Sequence, residues 1–267
     1  MTQKTIQHKY NTLLKNLKKY PNLAIAFSGG IDSTLLAYAA KQAKIDTLLI
    51  TVTSPMFSQH EKNLTKTIAK QMNIPHILTH QSLEKNVINN DTMRCYHCKH
   101  EEATTWLQEA HKKGYSTIAD GANYDDLKDS HRPGIKACSK LGIQHPLAQA
   151  KITKKDIRTI AQQHGLPTWN LPANACLASR IQYGERITTQ KLQQIEQAED
   201  YLRTYSPTIR VRLHNTIARI EVPIEHLPTI ITHRTDILHH LKNIGLTYIT
   251  LDLEGYRSGS MHEGQQK

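Results

Sequence analysis

Apolar and polar positions along the first half of the chain switch between two periods. Residues 23–27 form an unbroken apolar run, residues 47–53 are rich in β-branched and apolar side chains, and both read as strands. Between them, residues 31–43 carry apolar side chains at helical spacing. Residues 58–72 predict another helix, with Ser58 as N-cap and Glu61 three positions on. A short strand at 76–79, a helix at 99–111 and a strand at 117–120 continue the alternation. The rhythm predicts an α/β fold, a parallel sheet with helices on both faces. Ligands in such sheets bind beyond the carboxyl ends of the strands. Ser28 to Ser33, Thr53 and the string Asp120-Gly121-Ala122-Asn123 all fall there.

The pattern then changes. Residues 120–146 read as loop-rich, and a helix at 153–164 is stopped by Gly165-Leu166-Pro167. An irregular stretch at 167–184 holds Cys176, and a domain boundary near residue 180 gives domains 1–180 and 181–267. Beyond it, a helix at 188–204 precedes two alternating strands, 209–214 and 217–222, joined at Asn215-Thr216 as a hairpin. Residues 223–241 read as mostly helical and 248–253 as a last strand, which makes a smaller C-terminal α+β domain with a three-stranded sheet. Residues 261–267 read as a frayed tail. The lysine-rich first twenty residues place Leu13, Leu14 and Leu17 at helical spacing and carry no signal-peptide core.

Composition narrows the classes. The 267 residues carry 34 Lys and Arg against 23 Asp and Glu, a net charge of +11 that favours anionic partners such as nucleotides. No run approaches the roughly 18 apolar residues of a membrane span. Four cysteines without a secretory segment imply thiols or metal ligands rather than a disulfide framework, and hence a cytoplasmic protein.

The most specific chemistry lies in Ser28-Gly29-Gly30-Ile31-Asp32-Ser33, placed between the first strand and the first long helix of the sheet. A helix N-terminus offers unpaired N–H groups and a partial positive charge to an anion. Gly29 and Gly30 let the backbone approach it, Ser28 and Ser33 add hydroxyls, and Asp32 suits a bound Mg²⁺. No lysine follows the glycines, so this is not a Walker A loop. A glycine turn capped by Ser and Asp is the plain alternative. The string resembles the pyrophosphatase loop of the ATP-pyrophosphatase superfamily, whose members adenylate a carbonyl or carboxyl oxygen.

Cys95-Tyr96-His97-Cys98 is a CxxC that suits zinc, a redox pair or part of an iron–sulfur site, with His97, His100 and His111 nearby. Cys176 lies in Cys176-Leu177-Ala178-Ser179-Arg180, where Arg180 could activate the thiol; a buried inert cysteine is the alternative. Cys138 has no partner spacing and reads as structural, with a ligand role left open. Arg210-Val211-Arg212 puts two arginines on one face of a strand, suited to phosphate or to a solvated basic face.

With these strings assembled, the chain resembles the LarE family of ATP-dependent sulfur transferases, over about residues 23–261. The resemblance rests on Ala26-Phe27-Ser28-Gly29-Gly30-Ile31-Asp32-Ser33-Thr34, Asp120-Gly121-Ala122-Asn123 with Asp126, and Arg132-Pro133-Gly134. More specific are Cys176 to Arg180, Arg210-Val211-Arg212 and the string from Leu251 to Gly259. Gln182 and Ser130-His131 depart from the family's usual residues. The resemblance implies an adenine nucleotide alpha hydrolase-like PP-loop domain and a C-terminal substrate-binding and oligomerisation domain. It implies adenylation and then thiolation of the carboxylates of pyridinium-3,5-biscarboxylate mononucleotide, in the maturation of lactate racemase through its nickel-pincer nucleotide. ATP would sit on Ala26, Phe27, Ser28, Gly29, Gly30, Asp32, Ser33, Thr53, Asn123 and Arg132, with Mg²⁺ on Asp32. Arg210, Arg212 and Arg257 would hold the substrate phosphate, and Cys176, Glu199, Ser179 and Arg180 would join Asp32 in catalysis. Cys95, Cys98 and Cys176 match the variant in which three cysteines hold a [4Fe–4S] cluster; in other members a cysteine at the position of Cys176 is sacrificed and becomes dehydroalanine. Sulfur would come from inorganic sulfide or a donor, and the protein would form a homo-oligomer. A tRNA-thiolating enzyme of the same superfamily is the alternative, disfavoured by the absence of a basic RNA-binding module. A non-catalytic zinc protein and an ammonia-using ligase are further alternatives.

Overall fold

A computed structural model describes residues 3–128, 133–171, 175–257 and 260–262. The chain divides into two compact units. The first comprises residues 1–54, 59–84 and 93–174; the second comprises 55–58, 85–92 and 175–267.

In the first unit, helix α1 (Gln3–Leu17) leads into strand β1 (Asn22–Ala26), helix α2 (Ile31–Gln42), strand β2 (Asp46–Thr53), helix α3 (Gln59–Met72) and strand β3 (His76–His80). The sheet is all parallel, in the order β3-β2-β1-β4, with β4 (Ile118–Ala119) on the far side of β1. Apolar residues occupy both sides of β1 because both faces are covered. Leu23, Ile25 and Phe27 pack into a core with Leu13, Leu35, Leu36 and Ile157, while Ala24 and Ala26 face a second core with Ile50, Ala103 and Trp106.

The helices of the second face, and of the loop-rich stretch, differ from expectation. A short helix α4 (Lys85–Ile88), which belongs to the second unit, precedes α5 (Arg94–Lys112) of the first. Helix α5 begins five residues earlier than the apolar spacing predicts, because polar and cysteine residues make its first turns. The CxxC therefore sits on a helix. Residues 120–146, expected as loop, hold α6 (Tyr124–Lys128) and α7 (Pro133–Lys140). Helices α8 (Pro146–Gln149) and α9 (Lys154–Gln163) complete the unit. Thr153 and Asp156 close a reciprocal capping box at the start of α9, and Gly165 ends the segment at φ +63°.

The second unit begins with a 3₁₀ turn, Leu177–Arg180, then α10 (Thr189–Leu202), β5 (Arg210–His214) and β6 (Ile217–Glu221). Helices α11 (Leu227–Thr232) and α12 (Arg234–Asn243) and strand β7 (Tyr248–Leu251) follow. β5 and β6 pair antiparallel and β6 and β7 parallel, in a three-stranded sheet. Asn215 takes φ +52° in the two-residue hairpin loop, a left-handed conformation that Asn tolerates. Residues 85–92 join this unit: the Asn90 side-chain amide donates to the carbonyls of Gln182 and Glu185. No helix among the described residues is long and apolar enough to cross a membrane.

Candidate active site

The order of the first sheet locates the site. The order in which strands join the sheet reverses at β1, with β2 and β3 on one side and β4 on the other, so the loops that leave β1 and β4 open a crevice at their carboxyl ends, the place where open α/β sheets bind ligands. Ala26 ends β1 and Phe27 is buried behind it. Gly29 takes φ +71° with its α-carbon against Thr65; a Cβ there would lie 3.1 Å from the Thr65 methyl. Gly30 is the N-cap of α2 and provides no side-chain cap, so the first N–H groups of the helix face the crevice as anion donors. The Ser28 and Ser33 hydroxyls lie 3.3 Å apart, and Ser33 Oγ also donates to the Gly30 carbonyl at 3.2 Å. The hydroxyls thus shape the loop from within.

The loop after β4 closes onto this turn. Gly121 packs so tightly that a Cβ would come within 2.8 Å of the Ser33 amide nitrogen. Asn123, only 2% exposed, accepts from the Asp125 and Asp126 amides and points its own amide at Asp32 Oδ1, 3.5 Å away. Asp32 Oδ2 meets the Lys154 ammonium at 2.5 Å. Asp120 Oδ1 lies 2.7 Å from His145 Nδ1, whose other nitrogen lies 2.9 Å from Ser139 Oγ. Thr53, at the end of β2, donates to the Thr79 carbonyl at 3.0 Å. Arg132 lies outside the described residues, as do Ser130, His131, Ser258 and Gly259.

Lys154, His145 and Ser139 carry no motif in the sequence; Lys154 reaches the crevice because α9 begins there, and His145 and Ser139 because they join Asp120 at the end of β4. The capping box that starts α9 is the one local signal that could have pointed to Lys154.

Cys95 and Cys98 stand one turn apart on α5. Cys95 is exposed, and Cys98 Sγ donates to Glu102 Oε1 at 3.5 Å. Lys99 pairs with the same carboxylate at 2.5 Å and lies over the Trp106 ring, 5.0 Å from its centre. Cys138 is 1% exposed; burial first, then the charge of Asp120, pushes its thiol up to about 12. Such a thiol behaves as a packed apolar group, in line with a structural reading.

In the second unit Cys176 precedes the 3₁₀ turn, and its carbonyl accepts from the Ser179 amide, the Ser179 hydroxyl and Arg180 Nη1, at 2.9, 2.8 and 2.9 Å. Arg180 and Glu199 form a buried bidentate pair, Nε to Oε1 at 2.9 Å and Nη2 to Oε2 at 3.1 Å. Glu199 also accepts from the Val211 amide. Far from the helix surface, Glu199 is 1% exposed and ties the Cys176 turn to β5 through Arg180. Arg212 has its nitrogens on Glu221 and on the Ser179 carbonyl, so in this arrangement it braces the turn rather than presenting a phosphate fork. Arg210 lies against the Tyr256 ring, next in sequence to Arg257, which pairs with Glu254. Burial, then Arg180, lowers the pKa of Arg210. Gly255 takes φ +72°, and a Cβ there would lie 2.8 Å from the Val222 carbonyl, so the Tyr256 segment reaches β6 only with glycine at this position.

Among the described residues, no three His, Cys, Asp or Glu side chains stand together as a group ready to hold a metal ion. The donor types still suit their expected groups. Asp32 beside uncapped helix N–H groups suits a magnesium-bound phosphate, and the Cys95 and Cys98 thiols are of a type that binds soft metals.

A glycine loop at the switch point of a parallel sheet, running into an uncapped helix, defines a PP-loop protein, and residues 2–95 match the PP-loop domain family. Similarity extends well past that domain. An uncharacterised protein of Synechocystis is 39% identical over 93% of this chain and 96% of its own length. The pyridinium-3,5-bisthiocarboxylic acid mononucleotide synthase of Lactiplantibacillus plantarum is 33% identical over 97% of this chain and 95% of its own length. An uncharacterised protein of Methanocaldococcus jannaschii is 35% identical over 96% of this chain and 98% of its own length. The chain belongs to the LarE family.

Proposed function

We propose that this protein is an ATP-dependent sulfur transferase acting on pyridinium-3,5-biscarboxylate mononucleotide. The observation that carries this reading is the reach of the similarity to the synthase, which covers 97% of the chain and so spans both compact units. The first unit carries the nucleotide work and the second binds the substrate, which approximates domains 1–180 and 181–267.

The reaction runs in two steps. A substrate carboxylate oxygen attacks the α-phosphorus of ATP, and the bond to pyrophosphate breaks. Sulfide then attacks the carbonyl carbon of the adenylate, and AMP leaves with its oxygen. The amides at the start of α2, with Ser28 and Ser33, hold the departing pyrophosphate. Asp32 holds Mg²⁺, which draws charge from the phosphates when bound. Thr53, Asn123 and Arg132 border the nucleotide. Arg210 and Arg257 grip the substrate phosphate, where a guanidinium fork matches phosphate geometry. Glu199 orients Arg180, and Arg180 with Ser179 shapes the Cys176 turn.

For sulfur delivery, Cys95, Cys98 and Cys176 would hold a [4Fe–4S] cluster, which when bound supplies one iron without a protein ligand for exogenous sulfide. The same reading carries a cytoplasmic homo-oligomer fed by inorganic sulfide or a sulfur donor, without nucleic acid.

The test is turnover of the purified protein with the mononucleotide, Mg–ATP and sulfide, beside iron and acid-labile sulfide counts after anaerobic purification. Pyrophosphate, AMP and a sulfur-for-oxygen mass change in the substrate are expected. So is iron that is lost in Cys176→Ala. Absent iron, even after reconstitution, together with a Cys176 that has lost H₂S after turnover, would replace the cluster with the sacrificial route. No substrate-dependent pyrophosphate would overturn the whole reading.

A further inference from the structure

We propose that Lys154 is a phosphate-binding residue of the nucleotide loop, held on Asp32 until a magnesium-bound triphosphate takes its place. The inference rests on the reading of the loop as an ATP site and adds a residue that no motif marks.

Lys154 comes to the loop from 122 positions away in sequence. Its backbone is pinned on two sides. The Lys154 amide donates to Asp125 Oδ2 at 2.9 Å, and the Thr153–Asp156 capping box fixes the turn in which it lies. Lys9 holds Asp156 in turn, 2.6 Å from Oδ2. The side chain is not locked in the same way: 37% of it is exposed, and it pairs with Asp32. A fixed base under a mobile four-carbon stem lets the ammonium move over a few ångströms without moving the loop.

Charge balance gives the motion a cause. Asp32 alone would repel a phosphate arriving at the helix N-terminus, and the Lys154 ammonium cancels that charge while the site waits. Mg²⁺ binds through a carboxylate and substrate phosphates together, so it competes for the oxygen that Lys154 now holds. Once the metal occupies Asp32, like charge drives the ammonium off and the phosphate oxygens draw it in. Mg²⁺ offsets only part of the triphosphate charge, and a lysine point charge offsets more. The glycine loop has no lysine of its own, and α9 supplies one from across the crevice.

Binding of Mg–ATP, Mg–pyrophosphate and adenosine to the full-length protein by titration calorimetry tests this. Lys154→Ala should weaken both phosphate ligands about 10- to 100-fold, the range of one charged hydrogen bond, and leave adenosine unchanged. It should also lower the Mg²⁺ concentration needed for half-maximal ATP binding, because Asp32 no longer has to be released. Lys154→Gln, which keeps most of the stem, should show the same losses if the alanine variant folds poorly. Wild-type and variant affinities for pyrophosphate within twofold, or an adenosine loss equal to the ATP loss, would reduce Lys154 to a structural ion pair. A wild-type protein that binds adenosine but neither phosphate ligand would overturn the loop reading itself.

Discussion

Single side chains in this protein have environments that separate reactive groups from packed ones. Cys138 shows this most clearly. It is buried against Ala26 and Ala103, and its thiol is held at about 12 by burial and by Asp120. At pH 8 it should carry roughly a thousandfold less thiolate than a cysteine at its ordinary value of 9.0. Iodoacetamide applied to the metal-free native protein should therefore label the exposed Cys95 and spare Cys138, and unfolding in urea should abolish the difference. Equal labelling in the native protein, read by peptide mass spectrometry, would contradict the burial argument. The same scale separates the arginines: Arg180 and Arg212 are braces for the Cys176 turn, whereas Arg210 lies over the Tyr256 ring and Arg257 pairs with Glu254.

At the scale of elements, function depends on where helices begin. Helix α2 starts without a side-chain cap, which leaves its amides for a ligand. Helix α9 starts with a full capping box, which fixes Lys154. Thr153→Ala removes the hydroxyl that accepts from the Asp156 amide at 3.2 Å and should cost about 0.5–2 kcal/mol of stability. Urea unfolding would read this loss, and no change in the midpoint would mean that Asp156 and Lys9 hold the turn without it. The apolar spacing along the chain marks the middle of each helix well. It misses the first turns of α5, where Cys95 and Cys98 lie among polar residues, because those positions bury little apolar surface.

For the molecule as a whole, proton binding ties stability to pH. Burial first, and Lys66 second, lowers His76 from 6.5 to about 4. Between those values the unfolded chain holds a proton that the folded chain refuses, so stability falls as pH drops from 6.5 towards 4. His214, lowered by burial and by Arg219, acts in the same direction. Burial tends to raise Asp156, but bonds from Lys9 and Thr153 outweigh it and the pKa falls below 3.8. Its stabilisation is therefore present above 3.8 and is lost only as pH falls through the lower folded value. Both tryptophans, Trp106 and Trp169, lie in the first unit, as does His76, so their fluorescence reports on that unit. Urea midpoints by fluorescence should fall between pH 7 and pH 5, and the fall should shrink in His76→Gln. An undiminished fall in that variant would assign the pH dependence elsewhere.

Local pattern alone sufficed for the parallel α/β sheet, the glycine loop and the β5–β6 hairpin. Each depends on residues adjacent in sequence: apolar runs, a strand–turn–helix string, and Asn at a left-handed turn position. The pairing of Lys154 with Asp32, the close approach of Gly121 to the Ser33 amide and the link from Glu199 through Arg180 to the Cys176 turn were decided by tertiary structure. Their partners lie 122, 88 and 23 positions apart at the widest. No periodicity of 2 or 3.6 residues spans such separations. They meet because packing two cores on one sheet, and one hairpin on α10, brings distant helix starts and loop ends together, and burial then sets which charge answers which.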